Sequence, residues 1–267
     1  MKKRIITAIV GVPLLFALLY LGGWFLFAAC LVLSMVGVWE YARAFNRGLA
    51  HPVNILLMEI LTVIITVLMK LDFYSMLPIL MVLMIVLLCY EVINGKHDIY
   101  RGIVSCFGLM YIPVLFGFLM LFDMAKHGDY FLWMIFVIAF VTDTAAYFTG
   151  RAIGKHKMAP EISPKKTWEG AVGGLVFAAI AMLIYGVVLR FGFQFDLPLW
   201  TYPIAGLIGS IAGQCGDLTA SLIKRRMGIK DFGWILPGHG GILDRFDSIL
   251  FVIPIVYVFA SMTPAMV

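Results

Sequence analysis

Residues 221–247 read Ser221-Leu-Ile-Lys224-Arg225-Arg226-Met-Gly-Ile-Lys230-Asp231-Phe-Gly233-Trp-Ile-Leu-Pro237-Gly-His239-Gly240-Gly241-Ile-Leu-Asp244-Arg245-Phe-Asp247. Five cations, three aspartates and a glycine-rich turn stand here between two apolar runs. Elsewhere the chain is mostly apolar: 63% of its 267 residues are hydrophobic and 13% charged. A soluble core of this size needs a polar coat, and too few polar residues exist to make one. Folding alone does not require such a segment, so its composition points to a polar, multiply charged substrate handled at a membrane surface.

Working outward, apolar runs long enough to cross a bilayer, roughly 20 residues each, recur along the whole length. The pattern predicts an all-α polytopic membrane bundle. Nine spans are expected, at about 5–22, 24–40, 54–70, 74–92, 102–122, 130–149, 169–190, 200–222 and 246–264. The division between the third and fourth, at Lys70-Leu-Asp72, is the weakest. One membrane domain, 1–267, is the natural reading: spans within about 1–122 form a scaffold and about 130–267 carries the motifs. Met1-Lys-Lys-Arg4 imitates a signal peptide and Phe27-Ala-Ala-Cys30 a lipoprotein box, but the apolar run continues past Cys30. Leu21-Gly-Gly-Trp24 reads as a tight turn. Cys30, Cys89, Cys106 and Cys215 all lie in apolar runs without a C-x-x-C pair, so they read as packing residues.

Lys and Arg positions set the expected orientation. One set of loops holds 17 of the 20 cations and the opposite set only Lys70, Lys126 and Arg190. This asymmetry puts the N-terminus in the cytoplasm and the C-terminus on the other side, and it requires an odd number of spans. The two richest loops, 150–169 and 224–245, both face the cytoplasm on this reading.

Asp143 and Asp217 lie inside predicted spans, each seven residues from its cytoplasmic end. At 1.5 Å per residue, both sit about 10 Å below the surface. An intramembrane aspartate costs on the order of 2.5–3.5 kcal/mol on insertion scales. Helix-to-helix hydrogen bonding with Thr142, Thr144, Gln214 and Thr219 is one explanation. A shared site with Asp244 and Asp247, three apart and on one helical face, is the other. Clustered carboxylates repel, by about 4 kcal/mol for a pair at 4 Å and an effective dielectric of 20. A divalent cation turns that repulsion into binding, and all-oxygen donors favour Mg²⁺ over zinc. Mg²⁺ commonly uses one or two carboxylates plus substrate phosphates, so not all four need touch it. Glu59 is assigned no role.

Two loops read as phosphate-handling. Pro237-Gly-His-Gly-Gly241 is rich in backbone donors that can approach an anion, and a helix starting near Ile242 would add its N-terminal dipole. Taken alone the turn is ordinary; Lys224, Arg225 and Lys230 upstream and Asp244 downstream make it a candidate nucleotide cradle, with Gly240 and Gly241 in contact and Arg245 as anchor or phosphate ligand. His239 is either a phosphate donor or a plain loop residue. In Ser163-Pro-Lys165-Lys166-Thr-Trp-Glu-Gly170 the cations and the Ser163 and Thr167 hydroxyls suit the same task, while Trp168 fits an interfacial belt. Neither loop has the G-x-x-x-x-G-K-[ST] spacing of a P-loop. Gly170/Gly174 and Gly209/Gly213 have the spacing of close helix packing.

The segment from Ser221 to Asp247 resembles the signature of the phosphatidate cytidylyltransferases, or CDP-diacylglycerol synthases. Ser221, Lys224, Arg225, Lys230, Asp231, Gly233, Pro237, His239, Gly240, Gly241, Asp244, Arg245 and Asp247 match it without departure. Ser163–Gly170 is similar to a second stretch of that family. The resemblance implies the reaction of CTP with phosphatidate to give CDP-diacylglycerol and pyrophosphate, with a divalent cation. It also implies a homodimer, and a metal site organised by Asp217, Asp244 and Asp247. Catalytic roles then fall to Asp217, Asp244, Asp247 and Lys224, and metal binding to some of Asp143, Asp217, Asp244 and Asp247. Substrate contacts fall to Ser163, Lys165, Lys166, Ser221, Arg225, Lys230, His239, Gly240, Gly241 and Arg245.

Phosphatidate would enter sideways with its tails in the bilayer, and its phosphate would attack the α-phosphorus of CTP. A phosphate monoester has its second pKa near 6 and needs no general base. Two rivals remain: a CTP-dependent lipid kinase, and a transporter with an aspartate-lined path. Against the second, the charges gather at one face and do not continue to the other side. Nothing points to a nucleic-acid partner. No extra domain or targeting tail is evident, so a bacterial inner membrane is the expected location.

Overall fold

The computed structural model describes residues 2–49, 51–71, 76–94, 99–236, 238 and 240–263, and the side chains of these other than 2–10 and 12. Among them, α1 (Lys2–Leu21), α2 (Gly23–Phe45), α3 (Ile55–Leu71) and α4 (Met76–Ile93) come first. There follow α5 (Ile99–Leu109), a π-helical turn (Met110–Val114) and α6 (Leu115–Asp123), then α7 (Gly128–Ile153). An antiparallel hairpin, β1 (Lys157–Ala159) and β2 (Ser163–Thr167), precedes α8 (Trp168–Gly192), α9 (Thr201–Arg226) and α10 (Leu243–Ser261). The π turn contains Pro113, which has no N–H to give the ladder. It joins α5 and α6 into one 25-residue rod, Ile99–Asp123.

Counted with that rod as one, the described helices fall on the nine predicted segments. Five are long and apolar enough to cross a membrane: α2, α4, the α5–α6 rod, α7 and α8. The hairpin at 157–167 is an addition to the expected all-α fold. Its residues alternate too weakly in polarity to announce a strand, and Pro164 argues against one. Chain contacts divide the protein into two compact units, 1–123 with 224–246, and 124–223 with 247–267. The charged segment 224–246 thus belongs with the N-terminal helices, not with the later spans it follows in sequence.

In the first unit α2 is the central helix, touching α1, α3, α5, the π turn and α6. Its buried face includes Cys30, Val38, Tyr41 and Ala42, all 0% exposed. Gly108 lies flat against the Tyr41 ring, whose hydroxyl donates to the Val104 carbonyl at 3.0 Å. At the start of α2 the chain turns through Gly22 and Gly23, at φ +57° and +52°, as the Gly-Gly pair predicted. The freed Gly23 amide donates to both oxygens of Asp123, at 2.9 and 2.8 Å, and Lys70 pairs with the same carboxylate at 3.2 Å. Lys70, read as a loop charge, is therefore one member of a clamp over three helix ends. Arg101 also departs from its expected place in a solvated loop. It lies inside α5, 2% exposed, with its guanidinium 3.3 Å from Glu91.

The second unit is built on the pairing of α7 with α8, its most extensive helix contact. Glycines let the two backbones approach: Gly170 faces the Ala146 carbonyl, Gly173 the Thr149 side chain and Gly174 the Thr142 carbonyl. Gly209 meets Ile138 of α7, and Gly213 meets Val252 of α10. The spacing read as close helix packing serves that purpose here. Away from this seam α8 exposes Val172, Val176, Ile180, Ile184 and Val188. Such an apolar stripe suits lipid contact and would be a liability in water. All four cysteines are free.

Candidate active site

The described candidate site residues fall into two polar clusters, one in each unit. In the first, the last turn of α9 delivers Lys224, and the chain then turns at Gly228, φ +65°, with the Ile229 amide donating back to the Lys224 carbonyl at 2.9 Å. The Lys224 ammonium donates to Oδ1 of Asp244 at 2.8 Å. This ion pair is nearly dry, with side-chain exposures of 11% and 2%. Oδ2 of Asp244 accepts from the amides of Phe232 and Gly241, at 2.8 and 2.9 Å. Three donors on one carboxylate tie both ends of the loop to its middle. The glycine turn is closed by the Leu236 amide donating to the Gly240 carbonyl at 3.0 Å, with Gly238 and Gly240 at φ +82° and +90°. Those angles explain the glycines; a side chain at either would be strained.

A second carboxylate braces the same loop. Glu40 of α2 is fully buried and accepts from the amides of Ile242 and Leu243, at 3.1 and 3.0 Å. One helical turn on, the Arg43 guanidinium stacks 3.8 Å over the Trp234 ring and 5.2 Å from that of Trp39. Glu40 stands at the end of the span expected at about 24–40, where a charge fits the membrane boundary. Here α2 continues to Phe45, which draws Glu40 inside. A carboxylate flanked by two aromatics in Trp39-Glu40-Tyr41 was the available signal.

At the start of the last helix, where an anion was expected, two protein carboxylates stand against the backbone amides. Glu40 and Asp244 already occupy the amides of residues 241–243. Protein carboxylates satisfy the positive end of the dipole that was assigned to phosphate. Arg225, Lys230 and Arg245 are exposed, the Arg225 guanidinium also reaching the Ile229 carbonyl at 3.4 Å. His239 and Pro237 lie outside the described residues.

The second unit gathers the other predicted residues. Thr167 caps α8, accepting from the Gly170 amide at 3.2 Å, and fixes the end of β2. The hairpin base is tied by His156, whose amide and Nδ1 both meet the Glu169 carboxylate. From β2, Lys166 reaches Oδ2 of Asp217 at 2.7 Å, with side-chain exposures of 25% and 31%. Oδ1 of Asp217 accepts from the Ser221 hydroxyl at 3.4 Å. Lys165 is exposed and Ser163 half-buried on the same strand. Gly216 brings α9 against α10: a Cβ there would stand 2.5 Å from the Asp247 carbonyl. Asp217 and Asp247 thus stand on neighbouring turns of two touching helices. Ser248 ties in α7, its hydroxyl donating to Oδ2 of Asp143 at 3.2 Å and its amide to Oδ1 of Asp247 at 2.9 Å.

The four aspartates do not form one ready-made ligand cluster. Among the described residues no three Asp, Glu, His or Cys side chains gather closely enough to hold a metal ion. Oxygen donors from α7, α9 and α10 are nevertheless present in one unit. The Lys166 ammonium against Asp217 marks a position that already attracts a cation. That donor set suits a hard divalent ion. Asp244 suits one less well, since both its oxygens are engaged and Lys224 covers Oδ1.

Comparison with known proteins meets this geometry from outside. The phosphatidate cytidylyltransferase of Staphylococcus haemolyticus is 35% identical over 258 residues, covering 96% of this chain and 97% of its own. That of Staphylococcus saprophyticus is 35% identical over 262 residues, with the same coverage. The Staphylococcus epidermidis protein of that name is 30% identical over 269 residues, 98% of this chain and all of its own. The matched lengths therefore run through the segments that carry both polar clusters. Residues 2–263 match the Cytidylyltransferase family as a whole, and the chain belongs to that family.

Proposed function

We propose that this enzyme transfers CMP from CTP to phosphatidate, giving CDP-diacylglycerol and pyrophosphate for phospholipid synthesis. The observation that carries this reading is the near-full-length likeness to phosphatidate cytidylyltransferases. A phosphate oxygen of the lipid forms a bond to the α-phosphorus of CTP. The bond from that phosphorus to the bridging oxygen breaks, and pyrophosphate leaves with the electron pair. Because the attacking phosphate is already ionised near neutral pH, no side chain need remove a proton. Catalysis then rests on positioning and on charge.

Asp143, Asp217 and Asp247 would hold Mg²⁺, which when bound supplies charge neutralisation for the reacting phosphates. Lys166, Lys165 and Ser163 offer phosphate donors on a strand held by its cap and by the Glu169–His156 tie. Lys224 braces the 224–246 loop, while Arg225, Lys230 and Arg245 present exposed cations from it. In the membrane we propose nine spans, with the N-terminus and the site facing the cytoplasm of a bacterial inner membrane. The lopsided distribution of Lys and Arg supports that orientation. A homodimer is part of the same proposal.

Purified protein, Mg²⁺, phosphatidate and CTP labelled at the α-phosphorus test the reaction directly. Label should move into lipid with release of pyrophosphate. Label staying in water as CDP, with an alcohol becoming phosphorylated, would replace this reading with a lipid kinase. Chelation should stop the reaction and added Mg²⁺ restore it; full activity in chelator would remove the cation from the proposal.

A further inference from the structure

We infer that Glu40 is a positioning residue for the transferase, acting through the 232–244 loop that its carboxylate holds in place. The inference rests on the proposed reaction, because the loop's catalytic duty comes from that reading. The geometry begins with a missing cap. Ile242 occupies the position just before α10, and its carbonyl accepts from the amides of Arg245 and Phe246, at 3.0 and 3.1 Å. Its side chain has no acceptor to offer the helix's first amides, as Ser, Thr, Asp or Asn would. Glu40 supplies one from 202 residues away, one oxygen to Ile242 and the other to Leu243.

The loop is also shaped to Glu40. A Cβ on Gly233 or on Gly241 would run into the Glu40 side chain, which supplies all three of the nearest atoms in each case, carboxylate oxygens nearest. Neither glycine has the positive φ of Gly238 or Gly240, so backbone conformation does not demand glycine there. What demands it is a buried carboxylate filling the space. Arg43, on the next turn of α2, stacks on Trp234 and adds a further grip. The end of α2 thus touches residues 233, 234 and 241–243, the stretch that includes the glycine turn and leads into Asp244.

A mutational cycle tests this. Gly241→Ala should cost activity when Glu40 is present and little more once Glu40→Ala has emptied the space; independent, additive losses would overturn the contact. Glu40→Gln keeps the shape but turns an amide NH₂ toward a backbone N–H. It should lower kcat/KM for CTP by about 100-fold, the scale of a roughly 1 Å misplacement. KM for phosphatidate should stay unchanged, and Glu40→Asp should recover part of the loss. Asp123→Asn is the control, a carboxylate cap at the other end of α2 that should lower the melting temperature and leave the kinetics alone. If Glu40→Gln behaves like that control, Glu40 is only a structural cap and the inference fails. If the unaltered protein transfers no label from CTP to phosphatidate, the reaction itself is wrong and positioning falls with it. The melting-temperature cycle between Glu40 and Gly241 would still report on the contact, so the two failures can be told apart.

Discussion

Asp244 and Asp217 carry the same side chain, and each faces a lysine at under 3 Å, yet their surroundings differ. Asp244 is buried, and three donors on its own chain engage both oxygens. Asp217 is part-exposed, held by one ammonium and one distant hydroxyl. A saturated carboxylate in a dry setting fixes a shape. A part-solvated one can exchange its partner for an incoming cation or for a substrate that draws Lys166 away. The difference lies in burial and donor count, not in residue type.

The contrast makes graded predictions. Lys224→Ala should have the largest effect, because it strands Asp244 in the interior; loss of one partner of a buried pair costs about 3–5 kcal/mol. Thermal unfolding in detergent and loop proteolysis would show it, together with lost turnover. Asp217→Asn should leave the melting temperature nearly unchanged and lower turnover by about 100-fold, or about 2.7 kcal/mol of barrier. Near-full activity in that variant would remove the open cluster from the chemistry. Lys166→Ala should raise KM by about tenfold, or about 1.4 kcal/mol, with folding intact. Asp123→Asn should be mildest: a part-exposed pair contributes about 1 kcal/mol or less. If Asp217→Asn destabilised the protein as much as Lys224→Ala, the contrast itself would collapse.

Helix positions were legible in the sequence because each apolar run is long and bounded by charge, glycine or proline. The fifth span held its place despite the π turn at Pro113. What the sequence could not give was the pairing of distant charges. Lys70 and Arg101 looked like loop cations because a one-dimensional reading cannot place Asp123 or Glu91 beside them. The same limit hid Glu40, whose partners are backbone amides two hundred residues on. Nor could the sequence show that Glu40 and Asp244 engage the amides of residues 241–243, where the glycines announced free donors. Lys166 and Asp217 were both named as candidates, yet only the hairpin, invisible in the polarity pattern, explains how they meet.

The reach of Glu40 also bears on how the protein is made. A ribosome adds about 5–20 residues per second. The 202 residues between Glu40 and Ile242 therefore take about 10–40 s to appear, and Asp123 trails Gly23 by 100 residues. Throughout that interval α2 is a helix whose inner carboxylate lacks its partners. A chain stopped short of residue 242 never acquires them.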